Sequence, residues 1–134
     1  MDLKTIIILI CAIIVFIITT IIVIKIVKKP SKTKLLLSNK DIITNNSTYC
    51  KSLSKYSNLG QNYANQLFVL SDKLLYLNPV INKDIDIIDK KIKNCLDDIK
   101  LIISVDKINE KKLSDKIAIL NNLIQDRDYK SKLK

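Results

Sequence analysis

The side chains able to do chemistry are few, and their spacing decides most of the reading. The chain has no His, a single Gly (Gly60) and three cysteines, Cys11, Cys50 and Cys95. Without imidazole there is no Ser-His or Cys-His nucleophile and no His metal ligand. One Gly cannot build a phosphate-cradling loop. The carboxylates gather as Asp84/Asp86/Asp89 and Asp97/Asp98, with Glu110 the lone Glu. They alternate with Ile and Lys, which is the pattern of a solvated helix face. The first three also fall where a helix N-terminus favours acid. No catalytic residue, metal site or cofactor is expected, and the chain reads as non-enzymatic.

The cysteines invite a Cys50–Cys95 bridge. In a straight helical hairpin turning at Asn78, the two are offset along the axis by about 11 residues, or ~16 Å. A disulfide holds its Cα atoms within about 7 Å. An internal bridge does not fit that geometry, so both thiols are free or one joins two subunits. Cys95 falls on an apolar stripe and reads as buried, while Cys11 lies in an apolar run and behaves as a small hydrophobe.

That run is the first element. From Thr5 to Ile24 the sequence TIIILICAIIVFIITTIIVI carries no charge. As a helix it is about 30 Å long, the hydrocarbon thickness of a bilayer. A lone segment in lipid must pair every backbone polar group internally, and helix is the only way to do so. The hydroxyls of its threonines can bond to a carbonyl one turn back. A cleaved signal peptide would have a shorter apolar core and a small-residue cleavage site; here the run ends in Lys25-Ile26-Val27-Lys28-Lys29-Pro30.

Lys25, Lys28, Lys29, Lys32 and Lys34 crowd the C-terminal flank, with Lys4 on the other side. They are candidates to touch anionic lipid headgroups, and positive-inside bias puts the rest of the chain in the cytoplasm. The opposite orientation, lumenal or extracellular, would bring the overlapping sequons at Asn45 and Asn46 into use as glycosylation sites. The net charge is +10; Lys4, Lys25, Lys28 and Lys29 against Asp2 leave +3 of it in the first 30 residues. The rest is interleaved with acids beyond, without the dense Arg/Lys stripe and aromatics of a nucleic-acid groove.

Beyond a polar hinge at Pro30–Lys34, apolar residues recur at alternating spacings of four and three. Ile42, Tyr49, Leu53, Tyr56, Tyr63, Leu67, Leu70, Leu74 and Leu77 form one stripe, with Asn46 and Gly60 at the same phase. This is the seam of a coiled-coil-like helix from about 40 to 77. Tyr49, Leu53, Tyr56, Tyr63, Leu67, Leu70, Leu74 and Leu77 are thus core or partner contacts. Asn78-Pro79 ends the helix and starts the next, with Asn78 as cap and Pro79 in the first turn. The second seam is Ile81, Ile85, Ile88, Ile92, Cys95, Ile99 and Ile102; a third helix from about 107 or 109 shows Leu113, Ile117, Leu120 and Ile124.

The expected fold is all-α: a transmembrane helix, then an antiparallel bundle of three helices, or four if Gly60 breaks the first. The boundaries are a tail over 1–4, the span over 5–27, a basic hinge over 28–39, the bundle over 40–128 and a basic tail over 129–134. The expected partners are the lipid bilayer and another protein, or a second copy, held through the seam. The expected function is tethering or protein–protein interaction at a membrane. The alternatives are a structural protein of a viral or organelle envelope with the domain outside, and a lysine-dependent binder of anionic lipid or nucleic acid.

Overall fold

The computed structural model describes residues 2–28 and 32–133. The chain divides into two compact units, residues 1–32 and 33–134, and every regular element among the described residues is helical.

The first unit is one helix, α1 (Leu3–Lys28). Within it Leu3–Ile26, 24 residues with an 18-residue stretch of mean hydropathy 3.5, is long and apolar enough to cross a membrane, and the protein buries none of that stretch. Thr19 and Thr20 donate their hydroxyls to the Phe16 carbonyl at 2.9 and 2.8 Å, so these two hydroxyls are satisfied within the helix. Pro30, expected to end the helix, lies outside the described residues.

The second unit is a four-helix bundle: α2 (Lys32–Leu53), α3 (Gln61–Leu75), α4 (Lys83–Ile103) and α5 (Glu110–Ser131). The long helix expected over 40–77 is therefore two helices. Ser54, Ser57 and Asn58 compete with the backbone for hydrogen bonds, and Ser54 turns its hydroxyl onto the Lys51 carbonyl. Gly60 then stands as an extended N-cap for α3 (φ −61°, ψ 149°), its carbonyl accepting from Ala64 N at 2.9 Å. The seam spacing runs across this break because Tyr56 and Leu59 pack on the core from the turn.

Three further boundaries differ from expectation. Residues 32–39 are helical and belong to α2, where a hinge was expected. Pro79 sits in the non-helical connection between α3 and α4, and Asn82 caps α4 by accepting from Asp84 N at 2.8 Å. With Asp84 and Asp86 in the first turn, this start is favoured by both cap and dipole. α5 continues to Ser131, so the first half of the expected C-terminal tail, 129–131, is helix. Asn109 caps that helix, accepting from Lys112 N at 3.2 Å.

Hydrogen bonds between helices fix their order. Ser47 Oγ donates to the Ser71 carbonyl and Cys50 Sγ to that of Leu67, which sets α2 antiparallel to α3. Lys116 to Asp98 and Arg127 to Asp89 set α5 antiparallel to α4. Asn39 with Asp89, and Tyr49 with Asp97, set α2 parallel to α4. The bundle is two antiparallel hairpins side by side, with α2 next to α4 and α3 next to α5. Its core is Ile43, Cys50, Leu53, Leu67, Leu70 and Leu74 from the first hairpin, with Leu77 just beyond α3. The second hairpin adds Ile88, Ile92, Cys95, Leu96, Ile99, Ile103, Leu113, Ile117, Leu120 and Ile124.

Candidate functional site

The core of α2 is half polar. Its buried face is Asn39, Ile43, Asn46, Ser47, Cys50 and Leu53. Ile42, expected on the seam, is instead 40% exposed, and Ile81 is 43% exposed at the connection. The physical reason is the break at 54–60. Once α2 ends at Leu53 it need not keep phase with α3, and the stripe centred on Ile43 and Cys50 turns inward.

At one end of the bundle this polar face meets a buried ion pair. Arg127 is fully buried and Asp89 only 4% exposed. Arg127 Nε donates to Asp89 Oδ1 at 3.0 Å, Nη1 to the Asn78 carbonyl at 2.8 Å and Nη2 to Asn39 Oδ1 at 3.0 Å. Asn39 Nδ2 in turn donates to Asp89 Oδ2 at 3.0 Å, and Val80 N donates to Asn39 Oδ1 at 3.1 Å. The node ties α2, the 76–82 connection, α4 and α5 together. Sequence reasoning placed Asp89 on a solvated face; the structure turns it inward because the planar guanidinium satisfies it in the core. The usable signal was that Arg127 is the only arginine among 23 basic residues.

Farther along α4, Tyr49 Oη donates to Asp97 Oδ1 at 2.7 Å, and Lys93 Nζ reaches both Asp97 oxygens at 3.2 and 3.1 Å. Lys93 also lies 5.4 Å from the centre of the Tyr49 ring. Burial, then the bond to Asp97, pushes the Tyr49 phenol up to about 12. The same bond, followed by that from Lys93, holds the Asp97 carboxyl below its usual range. This phenol is a donor locked in place and a poor acid.

Cys50 and Cys95 are buried, free thiols. Burial raises Cys50 to about 12 and Cys95 to about 11, and the two are within electrostatic reach of each other. The offset of ~16 Å derived for a straight hairpin does not hold, because the break before α3 lets α2 lie parallel to α4. Thiols held in this protonated form are weak nucleophiles. Among the described residues no cluster of three or more His, Cys, Asp or Glu could hold a metal ion.

Of the seam residues, Leu53, Leu67, Leu70, Leu74 and Leu77 are buried in the bundle's own core, and Tyr49, Tyr56 and Tyr63 pack against it. The leucine stripe closes on itself and offers no free face to a partner. Lys25, Lys32 and Lys34 are exposed; Lys29 and the Lys28 side chain lie outside the described residues. Asn45 is exposed on α2, whereas Asn46 is 4% exposed, so a glycan on Asn46 is incompatible with this packing.

Between α2 and α4 runs a groove of about 480 Å³, walled by Leu35, Ile42, Val80 and Ile81, with Lys90 and Lys93 along its α4 side. A second groove of about 440 Å³ lies between α3 and α5 and is bordered by Asn62, Asn65, Gln66 and Asn121.

Fold and geometry thus define a class: an apolar helix of membrane-spanning length joined to a small four-helix bundle with a buried Asp–Arg–Asn node. Compared with protein-family models, curated proteins and solved structures, the chain matches none.

Proposed function

We propose that this protein is a non-enzymatic, membrane-tethered helical module: α1 spans the bilayer and residues 33–134 are presented to a protein partner on the cytoplasmic side. The observation that carries the reading is the unburied apolar length of α1. Each Ile or Val left in water forfeits about 1.5–3 kcal/mol, and α1 exposes more than a dozen of them. A bilayer recovers that free energy. The bundle needs no help from α1, since its own apolar stripes are used internally.

Lys25, Lys32 and Lys34, with Lys28 and Lys29, would rest against anionic headgroups for about 1 kcal/mol each. A partner would meet outward-facing side chains, because the leucine seam is consumed inside. The raised thiols and the hydrogen-bonded Tyr49 support a non-catalytic role.

The test is to express the full chain with a C-terminal epitope in microsomes, extract with alkaline carbonate and digest the intact vesicles. The reading expects the chain to stay with the membrane and the epitope to be removed. Release into the supernatant would end the anchor reading. A protected epitope with a glycan on Asn45, the exposed sequon, would favour the envelope protein with its domain outside.

A further inference from the structure

The groove between α2 and α4 has a chemistry of its own. Asn46 is 4% exposed and lines it, yet its side chain makes no hydrogen bond to any of the described residues. Its amide atoms are not sealed in. The one sealed, unpartnered side-chain atom among the described residues is Asn121 Oδ1, in the wall of the other groove. Because those atoms remain accessible and the residue lines the groove, the carboxamide is free to bond to whatever fills it.

The register of the two helices places the lining groups along the groove. Asn39 lies opposite Asp89 and Tyr49 opposite Asp97, so Asn46 falls beside Lys93, with Lys90 one turn away. The uncompensated positive charge at that end is that of Lys90 alone. Lys93 is engaged with Asp97, and Lys90 has no partner carboxylate among the described residues. The other end, at Leu35, Val80 and Ile81, is apolar, with Asp86 there and Asp89 neutralised by Arg127. From Asn46 to Leu35 along α2 is about 16 Å. A volume near 480 Å³, in which the apolar walls of Leu35, Ile42, Val80 and Ile81 run beside polar groups such as Ser38 and Asn46, suits a small amphiphile.

We infer that the α2/α4 groove binds a single-chain anionic lipid, of the fatty-acid class. The acyl chain lies along Ile42, Leu35, Val80 and Ile81. The carboxylate accepts from Asn46 Nδ2 and faces Lys90 and Lys93. The inference goes beyond tethering: it gives the domain a lipid ligand distinct from the bilayer that α1 crosses.

The full chain is placed in phosphatidylcholine nanodiscs doped with a diazirine-bearing palmitic acid, photolysed, and its cross-linked peptides are read by mass spectrometry. Labelling of the peptide containing α1 reports insertion, so failure of the anchor is distinguishable from failure of the groove. The expected result is additional labelling of peptides carrying Leu35–Ile42 and Val80–Ile81. Excess palmitate should suppress it at least fivefold, whereas hexadecanol or inorganic phosphate should not. Asn46→Leu and Lys90→Gln should each lower it severalfold. Ile42→Trp, at an exposed position, should block the groove while leaving helicity unchanged, which guards against loss of fold. Groove labelling that palmitate does not suppress, or that all three variants leave intact, overturns the inference. So do chain-to-chain adducts at these peptides in place of lipid adducts, which would assign the groove to a second copy.

Discussion

Arg127 donates three hydrogen bonds from a fully buried guanidinium, to Asp89, Asn39 and the Asn78 carbonyl. A buried pair adds little over a hydrophobic substitute, but removing one partner strands the other charge. Asp89→Asn or Arg127→Leu should each destabilise the bundle by about 3–5 kcal/mol, read as a fall in the urea midpoint by circular dichroism. Arg127→Lys should recover only part of this, because an ammonium cannot copy the fork. A loss under 1 kcal/mol for both single changes would mean the node is not a structural keystone. Periodicity could not see the node. Asn39, Asp89 and Arg127 occupy inward positions, but a pattern built on apolar residues counts such positions as surface. The thiols make a separate prediction. Cys50 and Cys95 have folded values raised to about 12 and 11, above the unfolded thiol near 8.5. The stability this confers is full below pH 8.5 and is lost as pH rises toward 11–12. The urea midpoint should therefore drop across that alkaline window, and Cys50→Ala should make the drop shallower. Asp97 works in the opposite sense. Its lowered value adds stability that is present above pH 4 and lost as pH falls through the folded value. Because Asp97 is half exposed, Tyr49→Phe should cost only about 0.5–1 kcal/mol at neutral pH, fading in acid.

At the scale of the elements, the apolar stripes announced α4 and α5 well. Ile85, Ile88, Ile92 and Ile99, like Leu113, Ile117, Leu120 and Ile124, are all buried. The first hairpin was harder to read, because Tyr56 keeps the heptad spacing through a segment that is not helical. The polar cluster Ser54, Ser57 and Asn58 was the stronger signal, and it agrees with a break at Gly60. Gly60 has negative φ, and a Cβ there would meet only Tyr63 Cδ2 at an ordinary 3.8 Å. α3 has no side-chain cap. Gly60→Asp should thus stabilise by about 0.5–1 kcal/mol, through the cap and a stiffer unfolded chain. Thermal unfolding would check this, and a lower melting temperature would contradict the cap geometry. Asn82→Ala, which deletes the existing cap of α4, should cost about 1 kcal/mol.

For the whole molecule, the apolar helix and the all-helical bundle were legible because both rest on long runs of residue type. The groove was not, since it depends on which helices are neighbours, and α2 beside α4 follows from contacts between residues some 50 apart. Residues 33–134 form a unit with its own core. Expressed alone, they should fold to a soluble helical domain that melts cooperatively, by calorimetry, at the temperature of the same transition in the full chain. A molten, dye-binding fragment would show that α1 contributes to the core.

An even number of helices returns the chain to the end of the bundle where it started. Arg127, four residues before the end of α5, touches Asn39, seven residues into α2. Tension applied between the start of α2 and the end of α5 is therefore carried first by this polar clasp, and not shared along the leucine core. The pull loads the bonds of the outer turns first, a geometry that yields at lower force than sliding whole helices past each other. In an optical trap the wild-type bundle should open in a single step once the clasp fails. With Asp89→Asn, the same unzipping should begin at a visibly lower force and spread over smaller steps.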